Sequence, residues 1–290
     1  MKGLFTNMQR GAFALAAALT LTTTAHAEDI KLVEPGAITV AFTGDMPGSG
    51  WQDGKLIGYD GEIMQRIAEK LKLGVKPALM EWSGTIASVQ SGRVDAMLGT
   101  MGWTAQRSKI MQLSEPIMYF RNGIMQSQKT SWSKLSDLEG KKVGTITGFS
   151  FVPELRKIKG LQLGLYDTAD AAVRDLLAGR IEAVIGDPPV VQYSISLNPT
   201  WGVHFLAFTD NNPAFPLLTG LGQVVFGMNQ SNTALAGAVD TILKDMWASC
   251  ELKEIGKKYG LTQDVWYKPV GANLRAGADR PQDYKLPACS

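Results

Sequence analysis

Histidine and cysteine are nearly missing from this chain: 290 residues contain two of each. Zinc sites are built from clustered histidine and cysteine, so this composition speaks against a metal centre, and none is expected. A Ser–His–Asp triad would have to be built on His26 or His204, and no G-x-S-x-G elbow occurs. His204 sits in the apolar run V-H-F-L at 203–206, which reads as a strand. The Gly-rich stretch G-D-M-P-G-S-G at 44–50 lacks the Lys-Ser/Thr step of a phosphate loop. It reads as a ligand-side loop or a plain turn, with Asp45 its one acid. Long apolar runs are missing too, and none reaches the roughly 20 residues a bilayer requires. There is no charge run and no low-complexity segment.

What is present begins with an export pattern. Lys2 and Arg10 form a basic start, residues 12–21 an apolar core, and Ala25-His26-Ala27 a small-x-small cleavage site. A buried first helix is the alternative. The expectation is a signal peptide over residues 1–27, cleaved after Ala27, and a periplasmic mature chain that begins at Glu28. Cleavage removes two cations from 29 and no acids, leaving 27 basic against 27 acidic residues. A neutral chain offers no electrostatic reason to bind nucleic acid or an anionic membrane. Its length suits two domains of ordinary size. In an exported chain Cys250 and Cys289 are expected to form one disulfide, tying the irregular tail to the last helices; a reactive thiol is the other reading.

A short stretch occurs nearly twice. G-R-V-D-A-M-L-G at 92–99 returns 87 positions later as G-R-I-E-A-V-I-G at 179–186, matching in type at seven of eight places. An amphipathic run precedes each copy, the first glycine suits a left-handed helix end, and a short apolar strand follows. Ligands in open α/β sheets bind beyond the carboxyl ends of strands. The first copy runs into Thr100, Gly102, Trp103 and Arg107, the second into Asp187. A cation and an anion therefore stand at equivalent places in two similar units, as two lobes facing over a zwitterion would require. Chance recurrence of helix–Gly–strand units is the alternative.

The rest of the chain alternates strands and helices. Strands are expected at 37–43, 75–80, 142–147, 161–166, 203–207 and 223–228. Helices are expected after Asp60 as N-cap up to Gly74, at 85–90, 133–138 and 153–157, after Thr168 or Asp170, and at 190–197. Two more follow: one after Ser231 or Asn232, carrying the stripe Leu235, Val239, Ile242, Leu243 and Met246, and one at 251–259. From Thr262 the chain has no period.

Four blocks in this frame resemble the bacterial family 3 solute-binding proteins, the polar amino-acid receptors of ATP-driven importers. They are G-K-L-I-G-Y-D at 54–60, Trp82 followed by residues 86–96, T-A-Q-R at 104–107 with L-S-E-P at 113–116, and L-S-D-L-E-G-K-K-V-G at 135–144. The resemblance covers about 37–261. It implies an α/β type II periplasmic binding protein fold of two lobes, each a central sheet flanked by helices, with two hinge crossings near 119–123 and 222–227. Lobe one would comprise 28–118 and 227–290, lobe two 119–226.

By position, Arg107 stands where the family's arginine clasps the ligand carboxylate, through two parallel charge-assisted bonds. Asp187 stands where an acid receives the ammonium group, and Trp51 near an aromatic that packs on the ligand side chain. Thr100 and Asp45 complete the polar set. The chain also departs from the pattern. Gly102 replaces a Ser or Thr five residues before the arginine, and Phe149-Ser150 replaces a Thr-Thr pair after Gly148. With Trp103, these changes suit a more apolar or N-alkylated ligand whose cation sits over a ring. Trp103 and Phe149 could equally belong to the lobe cores.

The expected function is capture of a small carboxylate-bearing, amino-acid-like solute and its delivery to an ABC permease. The protein would act as a monomer, not as an enzyme, and without cofactor. Two alternatives remain open. One is a periplasmic cyclohexadienyl-type dehydratase using Asp187 or Asp45 as proton donor; the other is a periplasmic adaptor or sensor.

Overall fold

The apolar run around Ile38, Val40, Ala41 and Phe42 is shielded on both faces, at most 2% exposed, as a central parallel strand requires. In the computed structural model, which describes residues 30–269 and 271–289, this strand is Ala37–Phe42. The expected signal peptide and the start at Glu28 lie outside the described residues. Ala37–Phe42 pairs in parallel with Gly74–Leu79 on one side and with Ala96–Met97 on the other. Gly227–Met228 runs antiparallel to Ala96–Met97, and Gln112–Leu113 closes this five-stranded sheet.

The second sheet repeats the plan. Lys142–Ile146 lies in parallel between Gln162–Tyr166 and Ala183–Val184, then antiparallel Gly123–Ser127 and finally Val203–Ala207 follow. The two copies of the repeat thus supply equivalent strands, each beside the first strand of its sheet. Their opening glycines, Gly92 and Gly179, have φ of 70° and 71°, the left-handed helix end that glycine reaches at least cost.

Two crossings join the lobes. Met118–Phe120 and Gly222–Val224 pair antiparallel in a ladder of their own. Each then continues into the sheet it has crossed to: the first into Gly123–Ser127, the second into Gly227–Met228. The apolar stretch expected as one strand at 223–228 is therefore two. Periodicity cannot reveal the break, because both halves are buried, in the crossing ladder and in the first sheet. This is the two-lobe type II architecture with two hinge crossings.

Helix Tyr59–Lys70 places Ile63, Met64, Ile67 and Ala68 on one face, all fully buried against the first sheet's core. Its N-cap is Gly58 at φ 84°, not Asp60. A Cβ on Gly58 would stand 2.5 Å from the Gly48 carbonyl, so only glycine lets the turn at 47–49 approach this closely. Asp60, released from capping, points elsewhere (below). Two later helices are capped by side chains. Thr168 Oγ1 accepts from the Ala171 N–H at 3.2 Å and Asn232 Oδ1 from the Leu235 N–H at 3.2 Å, starting helices Ala169–Leu177 and Thr233–Ala248. Cys250 and Cys289 are disulfide-bonded. Among the described residues no helix is long and apolar enough to cross a membrane.

Candidate functional site

The loop that leaves strand Ala96–Met97 is held from beneath by Asp60. Its carboxylate accepts the Thr100 N–H at 2.6 Å and the Gly99 N–H at 3.3 Å, and it fixes Thr100 at φ 53°. Burial pushes the Asp60 carboxyl up to about 6 despite those donors. Farther along, Gly102 bridges to Val224 and the Trp103 N–H donates to the Gln223 carbonyl at 2.7 Å, so this loop runs along the crossing ladder. A 3₁₀ turn, Arg107–Lys109, follows; the Arg107 N–H donates to Thr104 Oγ1 at 3.0 Å.

Arg107 is 8% exposed. Its guanidinium lies over the Trp82 ring, 5.3 Å from the centroid, and its Nη1 donates to the Gly102 carbonyl at 2.7 Å. Among the described residues no carboxylate lies within ion-pair distance, and burial pulls its pKa down to about 10, with Asp187 pulling the other way. A buried guanidinium has five N–H donors, and among the described residues only one finds a protein acceptor. An incoming carboxylate would supply the missing partners.

Asp187 belongs to the other lobe. It stands at the N-cap of helix Pro188–Leu197, yet its side chain caps nothing. Pro188 and Pro189 fill the first two helical positions and carry no N–H, which removes one of the two usual capping partners, and the residue borders both halves of the cleft. Its pKa is raised well above the usual range, first by burial and then by Asp45 and Asp60, while Arg107 opposes the shift. Asp45 is raised too: burial leads, with Glu81 and Asp170 adding to it and a hydrogen bond from the Thr43 side chain opposing.

Two cavities meet at this point. One is bordered by Arg107, Thr100, Gly102, Trp103, Ser150 and Asp187. The other is bordered by Asp45, Glu81, Asp167 and Asp187 among apolar walls such as Val173 and Val191. Trp82, Phe149 and Asp187 border both and divide one continuous cleft. The Trp82 and Phe149 rings meet edge to face, 6.2 Å between centroids, and join the lobes across it. The cleft thus combines a buried cation, a carboxylate from the other lobe, further acids beyond, and aromatic walls between.

Eight of the nine expected site residues therefore gather in this cleft. Trp103 and Phe149, for which cleft and core were both open, do both: each borders a cavity and packs on a lobe core. Trp51 is the exception and must be corrected. It lies on hairpin strand Gly50–Gln52, is 39% exposed, and borders an outer groove with Leu79 and Pro77. The hairpin pairs it with Leu56 and directs it away from Arg107. The aromatic beside Arg107 in the cleft is Trp82, which opens helix Trp82–Gln90. Its place in the W-x-x-x-I block was the available signal. Asn122, Leu221 and Leu274 also border the first cavity, and no local pattern marked them.

Known proteins share this sequence family and this fold. The sequence model of the bacterial extracellular solute-binding proteins, family 3, matches residues 38–262. The L-cystine-binding protein TcyJ of Escherichia coli (strain K12) is 30% identical over 164 residues, 54% of this chain. The match spans 61% of that relative's length. Among solved structures, an ancestral arginine-binding protein bound to glutamine superposes with a TM-score of 0.68 at 26% identity, over 79% of this chain and 99% of that one. The ancestral amino acid-binding protein AncCDT-1, a precursor of cyclohexadienyl dehydratase, shares the fold: TM-score 0.66, 20% identity, 77% of this chain and 95% of the other.

Proposed function

This chain belongs to family 3 of the bacterial extracellular solute-binding proteins, and on that premise we propose that it captures a zwitterionic, amino-acid-like solute between its lobes and hands it to an ABC permease. The observation that carries this reading is Arg107, a buried guanidinium without a carboxylate partner, lining the same cavity as the uncapped Asp187. The solute's carboxylate takes Arg107, and its ammonium group takes Asp187 with Asp45 behind. Relatives that bind cystine or arginine support an amino-acid class. The aromatic divider of Trp82 and Phe149 favours a ligand with an apolar or N-alkylated portion. Export over residues 1–27, a periplasmic location, a monomeric state and lobe limits at 118/119 and 226/227 complete the proposal.

Asp187→Asn tests the clamp. Hydrogen bonds to charged groups contribute about 1.5–3 kcal/mol, so the loss should be roughly ten- to a hundredfold for ligands bearing an ammonium group. Des-amino analogues should bind the variant as well as they bind wild type. Titration calorimetry of paired amino and des-amino acids reads this contrast, and equal losses for both would refute the assignment of Asp187.

A pH dependence follows from the same residue. In the free protein the Asp187 pKa is raised; a bound ammonium favours the carboxylate and lowers it. Between those two values binding expels a proton, so affinity should rise with pH and fall as pH drops through the raised free-state value. Calorimetry in buffers of different ionisation heat should register proton release in wild type and none in Asp187→Asn.

A second reading rests on the raised pKa values of Asp187 and Asp45, which suit a carboxylic acid that donates a proton. It predicts turnover of a cyclohexadienyl acid with release of water, and stoichiometric binding without product formation would rule it out.

A further inference from the structure

The family match ends at residue 262, yet the chain beyond it returns to the cleft. Leu274 borders the first cavity beside Leu221 and Trp103, and is 43% exposed. The next residue, Arg275, has no exposed surface at all. A large aliphatic side chain left open to the cavity on so rigid a mount has an apolar surface to offer a ligand.

The mount is built from charge-assisted bonds. Arg275 donates to the Ser114 carbonyl at 2.8 Å and the Leu113 carbonyl at 3.3 Å, and holds Asp279 in a fork at 3.1 and 2.8 Å. Asp279 in turn accepts the Trp103 indole N–H at 2.9 Å, across 176 positions of sequence. Farther on, the Tyr284 hydroxyl donates to Glu115 at 2.5 Å, and the Tyr119 hydroxyl of the crossing strand donates to the Pro287 carbonyl at 2.6 Å. Cys289 then fastens the end of the tail to Cys250.

We propose that residues 271–289 form the hinge-side wall of the ligand cavity, with Leu274 as the contact that limits a ligand's apolar reach and Asp279 as the positioning residue that holds Trp103 against it. The inference rests on the binding reading above and deepens it. Arg107 and Asp187 take the charged groups at one end of the cavity. Leu274, Leu221, Trp103 and Phe120 add hydrocarbon and ring surface to the same cavity, with Asn122 among them. The ligand class is then an amino acid or related zwitterion with an apolar extension directed to the hinge. Leu274 and Asp279 lie beyond residues 38–262, so what they add to selectivity is not described by the family model.

The probe is a graded series of straight-chain L-α-amino acids, from alanine through norvaline and norleucine to 2-aminooctanoate, titrated into the full mature chain. Leu274→Trp, which fills the wall, should lower the affinity of the longest members relative to alanine by at least about tenfold, since one methylene in a hydrophobic pocket already discriminates by roughly ten- to two-hundredfold. Leu274→Ala should move the preference toward longer chains. Asp279→Ala should blur the length preference, and Asp279→Asn, which keeps an acceptor for the indole, should restore it. Leu274 is exposed, so its two variants should melt with wild type. An unchanged ratio of long to short in both Leu274 variants overturns the proposal and leaves the clamp standing. Equal weakening of every member in Leu274→Trp overturns it too. If wild type binds no member, the amino-acid reading falls and this one falls with it.

Discussion

Arg107→Ala is expected to weaken solute binding roughly thirty- to several-thousand-fold, because truncating one member of a buried charge pair costs about 2–5 kcal/mol and each 1.4 kcal/mol is about tenfold. The site accounts for the size of the effect. Arg107 is 8% exposed, rests on the Trp82 ring and gives one N–H to Gly102, so a carboxylate that loses it loses a buried, charge-assisted partner. Arg107→Lys keeps the charge but loses the planar fork, and should bind measurably worse than wild type. The ligand-free protein should respond in the opposite sense. Among the described residues Arg107 has no carboxylate within ion-pair distance, and burial lowers its pKa to about 10, so its charge is a burden until ligand arrives. Arg107→Met should therefore melt at or above the wild-type temperature while binding is lost. A structural ion pair would lose stability together with affinity. Calorimetry against the tightest L-amino acid of a twenty-member screen, with melting curves on the same samples, separates the two. Binding within about threefold of wild type, under ~1 kcal/mol, would end the two-lobe clamp.

Removing the disulfide should have the largest effect on stability. Cys250 and Cys289 are 39 positions apart, and on the chain-entropy model closing a loop of that size restricts the unfolded chain by about 4 kcal/mol. For a chain of this length each kcal/mol shifts the melting temperature by about 2–4 °C, so Cys250→Ser with Cys289→Ser should melt roughly 8–15 °C below wild type. The folded state should feel the loss locally. Cys289 is 4% exposed within the first lobe's core, among Trp266, Tyr267 and Trp247, and its N–H donates to the Tyr267 carbonyl at 3.2 Å. Hydrogen exchange should accelerate in the tail before the sheets. A shift of a degree or less would mean that Arg275 and Tyr284 anchor the tail without it.

Local pattern was enough for most of the elements. Strand Val203–Ala207 and the starts of strands Ala37–Phe42 and Lys142–Ile146 fall where apolar runs meet turn residues, and Thr168 and Asn232 cap where their side chains can reach the next N–H groups. Asp60 shows the limit of that reasoning. Its type and position read as a cap, but the carboxylate bonds Gly99 and Thr100, residues about 40 positions away that sequence order does not place beside it. Trp51 fails for a related reason: a hairpin's register decides which way a ring faces, and the family position nearest in sequence was not the one nearest in space.

The sequence by itself determined the two-lobe α/β plan, the near-repeat that carries Arg107 and Asp187, and the pairing of Cys250 with Cys289. These rest on residues close in sequence, on block order, or on there being only two cysteines. Only the tertiary structure decided that Trp82 lies beneath the guanidinium, that the apolar stretch near 222–228 divides between the crossing ladder and the first sheet, and that the aperiodic tail reaches the cleft. Each of these depends on contacts between segments far apart in sequence, such as Trp103 with Asp279, which become neighbours only once the sheets and crossings are in place. Periodicity records which face of an element is buried; it carries no record of what that face is buried against.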